Sequence, residues 1–302
     1  MRVVIALGGN AILKRGEPMT TENQRTNIKR AALAISRVIS AGHSVTITHG
    51  NGPQIGLLAL QNMAYDEALA SPIDVLGSET AGMIGYMIEQ ELSNLLPSKS
   101  EVATLLTRIE IDADDPVFKT PSKPIGPVYG KKEADALATK HKWVMMPDGS
   151  HFRRAVASPH PKRILEIGVI RLLIKYGVTV ICSGGGGIPV VKQNDGNFSG
   201  VEAVIDKDHA SCLLAHEVKA DALLLLTDVD GVYLGWGTAQ QQRIATATPV
   251  QLKTYSFANG SMAPKIEAAV DFVTHGGTMA GIGCLDDALT ILNRSAGTVI
   301  TL

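Results

Sequence analysis

The sequence predicts an α/β fold: three layers, α/β/α, around a mostly parallel central sheet, with a small subdomain protruding from it. Three observations carry that expectation. Strand-like apolar runs alternate with helical patterns along most of the chain. Strand, glycine turn and helix recur at "VTVICSGGGGIPV", at "DALLLLTDVDG" and again near residues 278–282. One proline-rich segment, residues 112–161, breaks this rhythm and reads as an excursion folded over the main body, with the character of a lid. At 302 residues the chain can hold one large α/β domain or two lobes.

Taken in order, residues 3–7 form an apolar strand that runs into Gly8, Gly9 and Asn10. Thr21-x-x-Gln24 has the spacing of a capping box, and Ile28, Ala32, Ile35 and Ile39 then fall on one helical stripe that Gly42 ends. A second strand at 44–48 leads into the glycine turn "HGNGPQ", and helical stretches continue to about Leu96. Within the excursion only a short pattern near residues 134–138 has regular apolar spacing.

Composition narrows the function. The 28 basic and 29 acidic residues nearly cancel, so no global field favours nucleic acid or an anionic membrane. The longest aliphatic run, residues 222–226, is far short of the roughly 18 to 20 residues that a membrane span needs. Met1 and Arg2 lead directly into a strand with no secretory pattern, which makes the cytoplasm the expected compartment. Cys182, Cys212 and Cys284 are odd in number and widely spaced, and read as buried thiols, neither a disulfide framework nor a zinc site.

Three strand-to-helix turns carry glycine clusters: Gly8 and Gly9 with Asn10, Gly50-Asn51-Gly52, and Gly184, Gly185, Gly186 and Gly187. In an open α/β sheet such turns present backbone N–H groups at the carboxyl edge, where anions settle. Four successive glycines cost conformational entropy unless the bare backbone is useful. Neither the first nor the third cluster completes G-x-G-x-x-G, and no Walker A string occurs. Asp228 to Gly231 opens like an EF-hand loop, but its twelfth position is Ala239, which carries no carboxylate. A phosphate group therefore remains the expected occupant, and two lysines suit it. Lys207 lies between Asp206 and Asp208 at a helix start, and Lys265 follows Pro264 in another first turn. A cation in a first turn, where the dipole favours anions, suggests an anionic ligand nearby.

The strings "ALGGNA", "THGNGPQIG", "GMIGYM", "DPVFKTPSKPIGPVY", "SGGGGIPV", "GVEAVIDKDHAS", "LTDVDGVY" and "GSMAPKIEAAV" together resemble the carbamate kinases of the amino acid kinase superfamily, across essentially the whole chain. Many relatives in that superfamily have Lys where Asn10 stands, and Lys207 looks like the carbamate-kinase way of restoring that charge.

The resemblance implies reversible phosphoryl transfer between ATP and carbamate, commonly running from carbamoyl phosphate and ADP towards ATP. It implies an N-terminal lobe, residues 1–212, for carbamate and the phosphoryl group, and a C-terminal nucleotide lobe, residues 213–302. Gly8, Gly9 and Asn10 would hold the moving phosphoryl group, Gly50, Asn51 and Gly52 would enclose carbamate, and Gly184, Gly185 and Gly186 would border the pocket. Lys207 would sit by the transferred group, Lys265 would reach the nucleotide phosphates, Asp208 would orient both, and Lys123 would lean over from the excursion. Thr227, Asp228 and Tyr233 would line the adenosine pocket, Mg2+ would bridge phosphate oxygens with mostly water ligands, and the chain would form a homodimer. "GSETAGM", "MPDGSHFRRAVASP" and Ala263 depart from the family strings and bear on substrate choice more than on fold. Two alternatives stay open: another amino acid kinase acting on a small carboxylate, and a sensor that binds carbamoyl phosphate or nucleotide without turnover.

Overall fold

The computed structural model describes residues 1–14, 16–257 and 262–302. Gly260 and Ser261, which open the last resembling string, lie outside the described residues. Reading across the central sheet, its eight strands are Thr246–Ala247, Thr298–Ile300, Met279–Cys284, Ala222–Thr227, Arg2–Leu7, Ser44–His49, Thr179–Ile181 and Val102–Thr104. Every neighbouring pair is parallel except Met279–Cys284 with Thr298–Ile300.

The first strand shows why helices cover both faces. Val3, Ile5 and Leu7 enter one apolar cluster and Val4 and Ala6 enter the other, and all five are fully buried. A strand with both faces apolar needs a layer on each side. Helices Thr21–Ser40 and Ile73–Leu95 cover one face; helices Ile167–Lys175, Lys207–Glu217 and Met262–Thr274 cover the other. The three layers match the expectation from sequence.

The first helix starts differently from its predicted cap. Thr20, not Thr21, is the N-cap, and its hydroxyl accepts from Asn23 N at 3.1 Å. Gln24 is buried, and its carboxamide oxygen accepts from Gln54 at 3.1 Å, so it serves helix packing. Gly42 ends the helix as expected, at φ +86°.

The excursion is more regular than its prolines suggested. Strands Lys123–Tyr129, His151–Val156 and Val144–Asp148 form an antiparallel sheet, with helix Lys131–His141 between the first and the last of them in sequence. Pro124 and Pro127 lie on an edge strand, where a missing N–H costs no ladder bond. Ile125 and Val156 pack on Ile55, Ala59, Ile73 and Leu76 of the main body. The contact is backbone on backbone, since a Cβ on Gly56 would fall 1.8 Å from Gly126 Cα. No helix among the described residues is long and apolar enough to cross a membrane.

Candidate active site

Leu7 is paired with both His49 and Leu226, so three parallel strands end level and their turns open side by side. Gly8 N donates to Leu226 O at 3.0 Å and Gly50 N to Leu7 O at 3.1 Å, pinning two turns to the sheet edge. The third glycine turn follows Thr179–Ile181, which pairs with Ser44–His49 on the far side. All three predicted turns therefore share one edge.

The glycines there divide into two groups. Gly185 and Gly186 have φ of +69° and +92°, and a Cβ on Gly186 would lie 2.2 Å from Ile205 O. A Cβ on Gly184 would meet His49 Nε2 at 2.5 Å, and one on Gly185 would meet Asn51 Nδ2 at 2.2 Å. Close packing alone requires glycine at these positions. Gly9 and Gly52, by contrast, face open space within 4 Å, so theirs is the backbone left uncovered beside the turns.

The lysines converge on one carboxylate. Asp206 caps helix Lys207–Glu217, accepting from Asp208 N at 2.8 Å. Asp208 then takes an ammonium on each oxygen: Lys207 on Oδ1, and Lys265, from the first turn of helix Met262–Thr274, on Oδ2 at 2.9 Å. Lys123 reaches from the excursion to bond Asp206 Oδ2. The Lys207 stem crosses the glycine turns: a Cβ on Gly50 would stand 3.3 Å from Lys207 Cδ and 3.6 Å from Gly9 N. Three ammonium groups against two carboxylates leave this cluster one positive charge over, beside the uncovered backbone of Gly9.

Burial and pairing set the charges. Burial lowers the Lys207 pKa to about 8, with Asp208 pulling it up and Lys265 pushing it further down. Burial also works against the Lys265 ammonium, but Asp208 outweighs it and holds Lys265 above its ordinary value. Burial would raise Asp206 and Asp208, yet their lysine neighbours keep both below the usual carboxylate range.

On the neighbouring strand end, Asn10 Nδ2 donates to Asp228 Oδ2 at 2.7 Å, and Thr227 Oγ1 donates to Asp228 Oδ1 at 3.1 Å. Asn10, Thr227 and Asp228 thus form one group. Tyr233 stays out of it: its hydroxyl donates to Asp230 at 2.7 Å and its ring meets Trp236 edge-on at 5.2 Å. Asn51 is buried, its amide donating to Thr80 Oγ1 at 2.9 Å while its Oδ1 has no partner. The carboxylates of the lysine cluster are all engaged by ammonium groups. They offer no free ligand set, so a divalent cation arriving with a nucleotide would take its ligands from phosphate oxygens and water.

The amino acid kinase family model matches residues 1–283. The carbamate kinase of Haemophilus influenzae is 52% identical over 301 residues, covering 100% of this chain and 97% of that protein. The chain belongs to the amino acid kinase family, in its carbamate kinase branch. The carbamate kinase of Rhizobium meliloti is likewise 52% identical over 303 residues, covering 100% of this chain and 93% of that protein. A solved structure of Giardia lamblia carbamate kinase bound to AMP-PNP superposes with a TM-score of 0.90 at 38% identity, covering 99% of this chain and 98% of that one.

Two residues of this carbamate kinase-branch chain were not singled out from sequence. Asp206 enters the sequence reading only as a flank of Lys207, although an Asp directly before a helix is the ordinary N-cap signal. His49 gives no such signal: it ends a strand, is fully buried, and its Nδ1 lies 3.1 Å from Gly50 O. Burial lowers its pKa to about 4, against an ordinary value of 6.5, so the folded chain holds it neutral.

The unfolded chain protonates His49 first as pH falls. Stability is therefore complete above about pH 6.5 and drains away towards pH 4, by about 3 kcal/mol over that window. Urea unfolding at neutral pH and near pH 4.5 should show this loss, and His49→Gln should flatten that component of the slope. A His49→Gln chain as acid-sensitive as the parent would assign the loss elsewhere.

Proposed function

We propose that the chain is a carbamate kinase, transferring a phosphoryl group reversibly between ATP and carbamate and running towards ATP from carbamoyl phosphate and ADP. The observation that carries this reading is the meeting of Lys207 and Lys265 on Asp208 beside the Gly8 and Gly50 turns. Phosphoryl transfer asks a protein chiefly for alignment and for positive charge where the transition state spreads its negative charge. A fixed pair of ammonium groups and an open backbone supply both, with no covalent nucleophile.

In this reading the uncovered amide edge at Gly9, with Gly8 behind it, receives the transferred phosphoryl group. Lys207, whose stem already lies over that turn, neutralises it during transfer. Lys265 holds the nucleotide phosphates, and Asp208 keeps the two cations at a fixed separation. Gly50, Asn51 and Gly52 enclose carbamate, the unpartnered Asn51 Oδ1 being an acceptor suited to its amine, and Gly184, Gly185 and Gly186 shape the wall. Asn10 links the phosphoryl turn to Asp228 and Thr227 on the nucleotide side, with Tyr233 further along the same border. Lys123 ties the excursion to Asp206 and leans over the bound phosphate from there. Mg2+ accompanies the nucleotide and lowers the charge repulsion between its phosphates when bound.

The same reading divides the chain into a phosphoryl-acceptor half, residues 1–212, and a nucleotide half, residues 213–302. It places the chain in the cytoplasm, where its nucleotide substrates are, as a homodimer. Exposed Val75, Met83 and Tyr86, spaced along one stripe of helix Ile73–Leu95, support that pairing.

The deciding experiment is a coupled assay for ATP formation from ADP and carbamoyl phosphate, with acetyl phosphate as the control phosphoryl donor. Turnover with the first and little with the second is the expected result; nucleotide binding without turnover would favour a sensor. In the same assay kcat/KM should fall as pH rises through about 8, as the free protein loses the Lys207 proton. A profile that stays level well above that pH would remove Lys207 from the chemistry.

A further inference from the structure

A second group of chemically capable side chains lies outside this site. Cys212 and His216 stand one turn apart on helix Lys207–Glu217, while Asp271 lies in the last turn of helix Met262–Thr274 and His275 directly follows that helix. The two helices pack together in one apolar cluster. One donor atom from each of Cys212, His216 and Asp271 lies within 4.8 Å of the others. A single oxygen organises them: Asp271 Oδ2 accepts from the Cys212 thiol at 3.1 Å and lies 3.2 Å from His216 Nε2. His275 Nδ1 is 3.0 Å from Asp271 Oδ1, and its ring meets that of His216 edge-on at 5.9 Å.

We propose that Cys212, His216 and Asp271, with His275 at the rim, bind a borderline-soft divalent cation of the zinc class that clips helix Lys207–Glu217 to helix Met262–Thr274. The donor chemistry selects the ion. A thiolate and imidazoles suit Zn2+ and its neighbours, whereas Mg2+ and Ca2+ require a shell of oxygens. The spacing also fits. Tetrahedral Zn2+ with bonds of about 2.3 Å to sulfur and about 2.0 to 2.2 Å to nitrogen or oxygen sets its ligand atoms roughly 3.2 to 3.8 Å apart. The two contacts to Asp271 are already close to that range, so side-chain adjustment suffices.

Charge and surroundings agree as well. The thiol gives up its proton to solvent as the metal–sulfur bond forms, and thiolate with carboxylate then balances a divalent ion. Cys212 is buried within the apolar cluster and the Phe272 ring lies 5.5 Å from that of His216, giving the site a dry floor. Asp271 and His275 leave its outer side open to solvent. The cysteine spacing argued against a zinc site because sequence separation hides the pairing: Cys212 and Asp271 are 59 residues apart and meet only across two packed helices.

The clip lies one helical turn beyond Asp208 and less than two turns beyond Lys265. Its occupancy would fasten together the two helices that present the shared carboxylate and its second ammonium.

The test is titration of the reduced, chelator-treated full chain with Co2+, a spectroscopic substitute for Zn2+. Expected are one Co2+ bound per chain, a near-ultraviolet thiolate-to-cobalt charge-transfer band and intense visible bands of four-coordinate geometry, all reversed by added Zn2+. Zn2+ should also raise the melting temperature. Cys212→Ser should abolish the charge-transfer band and the Zn2+-dependent rise, and His216→Asn should weaken binding by about tenfold or more. Cys182→Ser and Cys284→Ser should change neither. Metal-free melting of Cys212→Ser near that of the parent shows that its fold is intact; if that variant is unstable, His216→Asn carries the comparison. Absence of the thiolate band, or its survival in Cys212→Ser, overturns the proposal.

Discussion

Lys265→Ala should lower the turnover of ATP formation from carbamoyl phosphate by on the order of a hundredfold or more. The side chain is almost wholly buried and its ammonium sits 2.9 Å from Asp208 Oδ2, so no solvent cation can take up the same position. Its loss has two consequences that steady-state kinetics can separate. The phosphates lose a fixed positive charge, which depresses kcat. Lys207 loses a like-charged neighbour and keeps Asp208, so the alkaline limb of the pH profile should move upward. Lys265→Arg restores charge but not shape, and partial recovery at most is expected from a fork in a site fitted to a point charge. Kinetics near those of the parent, in a chain that still melts cooperatively, would take Lys265 out of the chemistry.

Asp208→Asn should cost both stability and activity. Asn fills nearly the same volume, so the change is one of charge: two buried ammonium groups face each other with no anion between them. Removing one partner of a buried ion pair costs about 3 to 5 kcal/mol, chiefly because the remaining charge stays desolvated. Both lysines respond by giving up protons more easily in the folded chain than in the unfolded one. The unfolded chain then binds more protons, so the defect should be deepest near neutral pH and shrink as pH rises towards about 10. Denaturant melts at three pH values test the sign. A variant as stable as the parent would mean that water already shields the two ammonium groups.

Much of the architecture was legible because strands and turns are written locally. The apolar run ending in Gly8 and Gly9, the stripe of Ile28, Ala32 and Ile35, and Gly42 as a stop all appear where their spacing placed them. The lysine cluster was only half legible. Lys207 and Lys265 announce themselves as cations in first turns, but their sharing of Asp208 depends on how two helices pack, which no window of sequence encodes.

Two misreadings have plain causes. Thr20 caps the first helix because its own hydroxyl meets Asn23 N, and a run of two threonines leaves the choice to geometry. The excursion looked irregular because Pro124, Gly126 and Pro127 obscure a strand that needs no outer partner. The glycines after residue 183 carry a packing demand that spacing does not show: a Cβ on Gly184, Gly185 or Gly186 would run into His49, Asn51 or Ile205.

The ladder joining residues 3–7 to residues 222–226 has a mechanical consequence. Halves of the chain on either side of that seam cannot swing apart like jaws without tearing five successive registers of parallel sheet. The floor beneath the ammonium pair is therefore a rigid plate. The side-chain bonds that cross its rim, Lys123 to Asp206 and Asn10 to Asp228, can open without disturbing that plate.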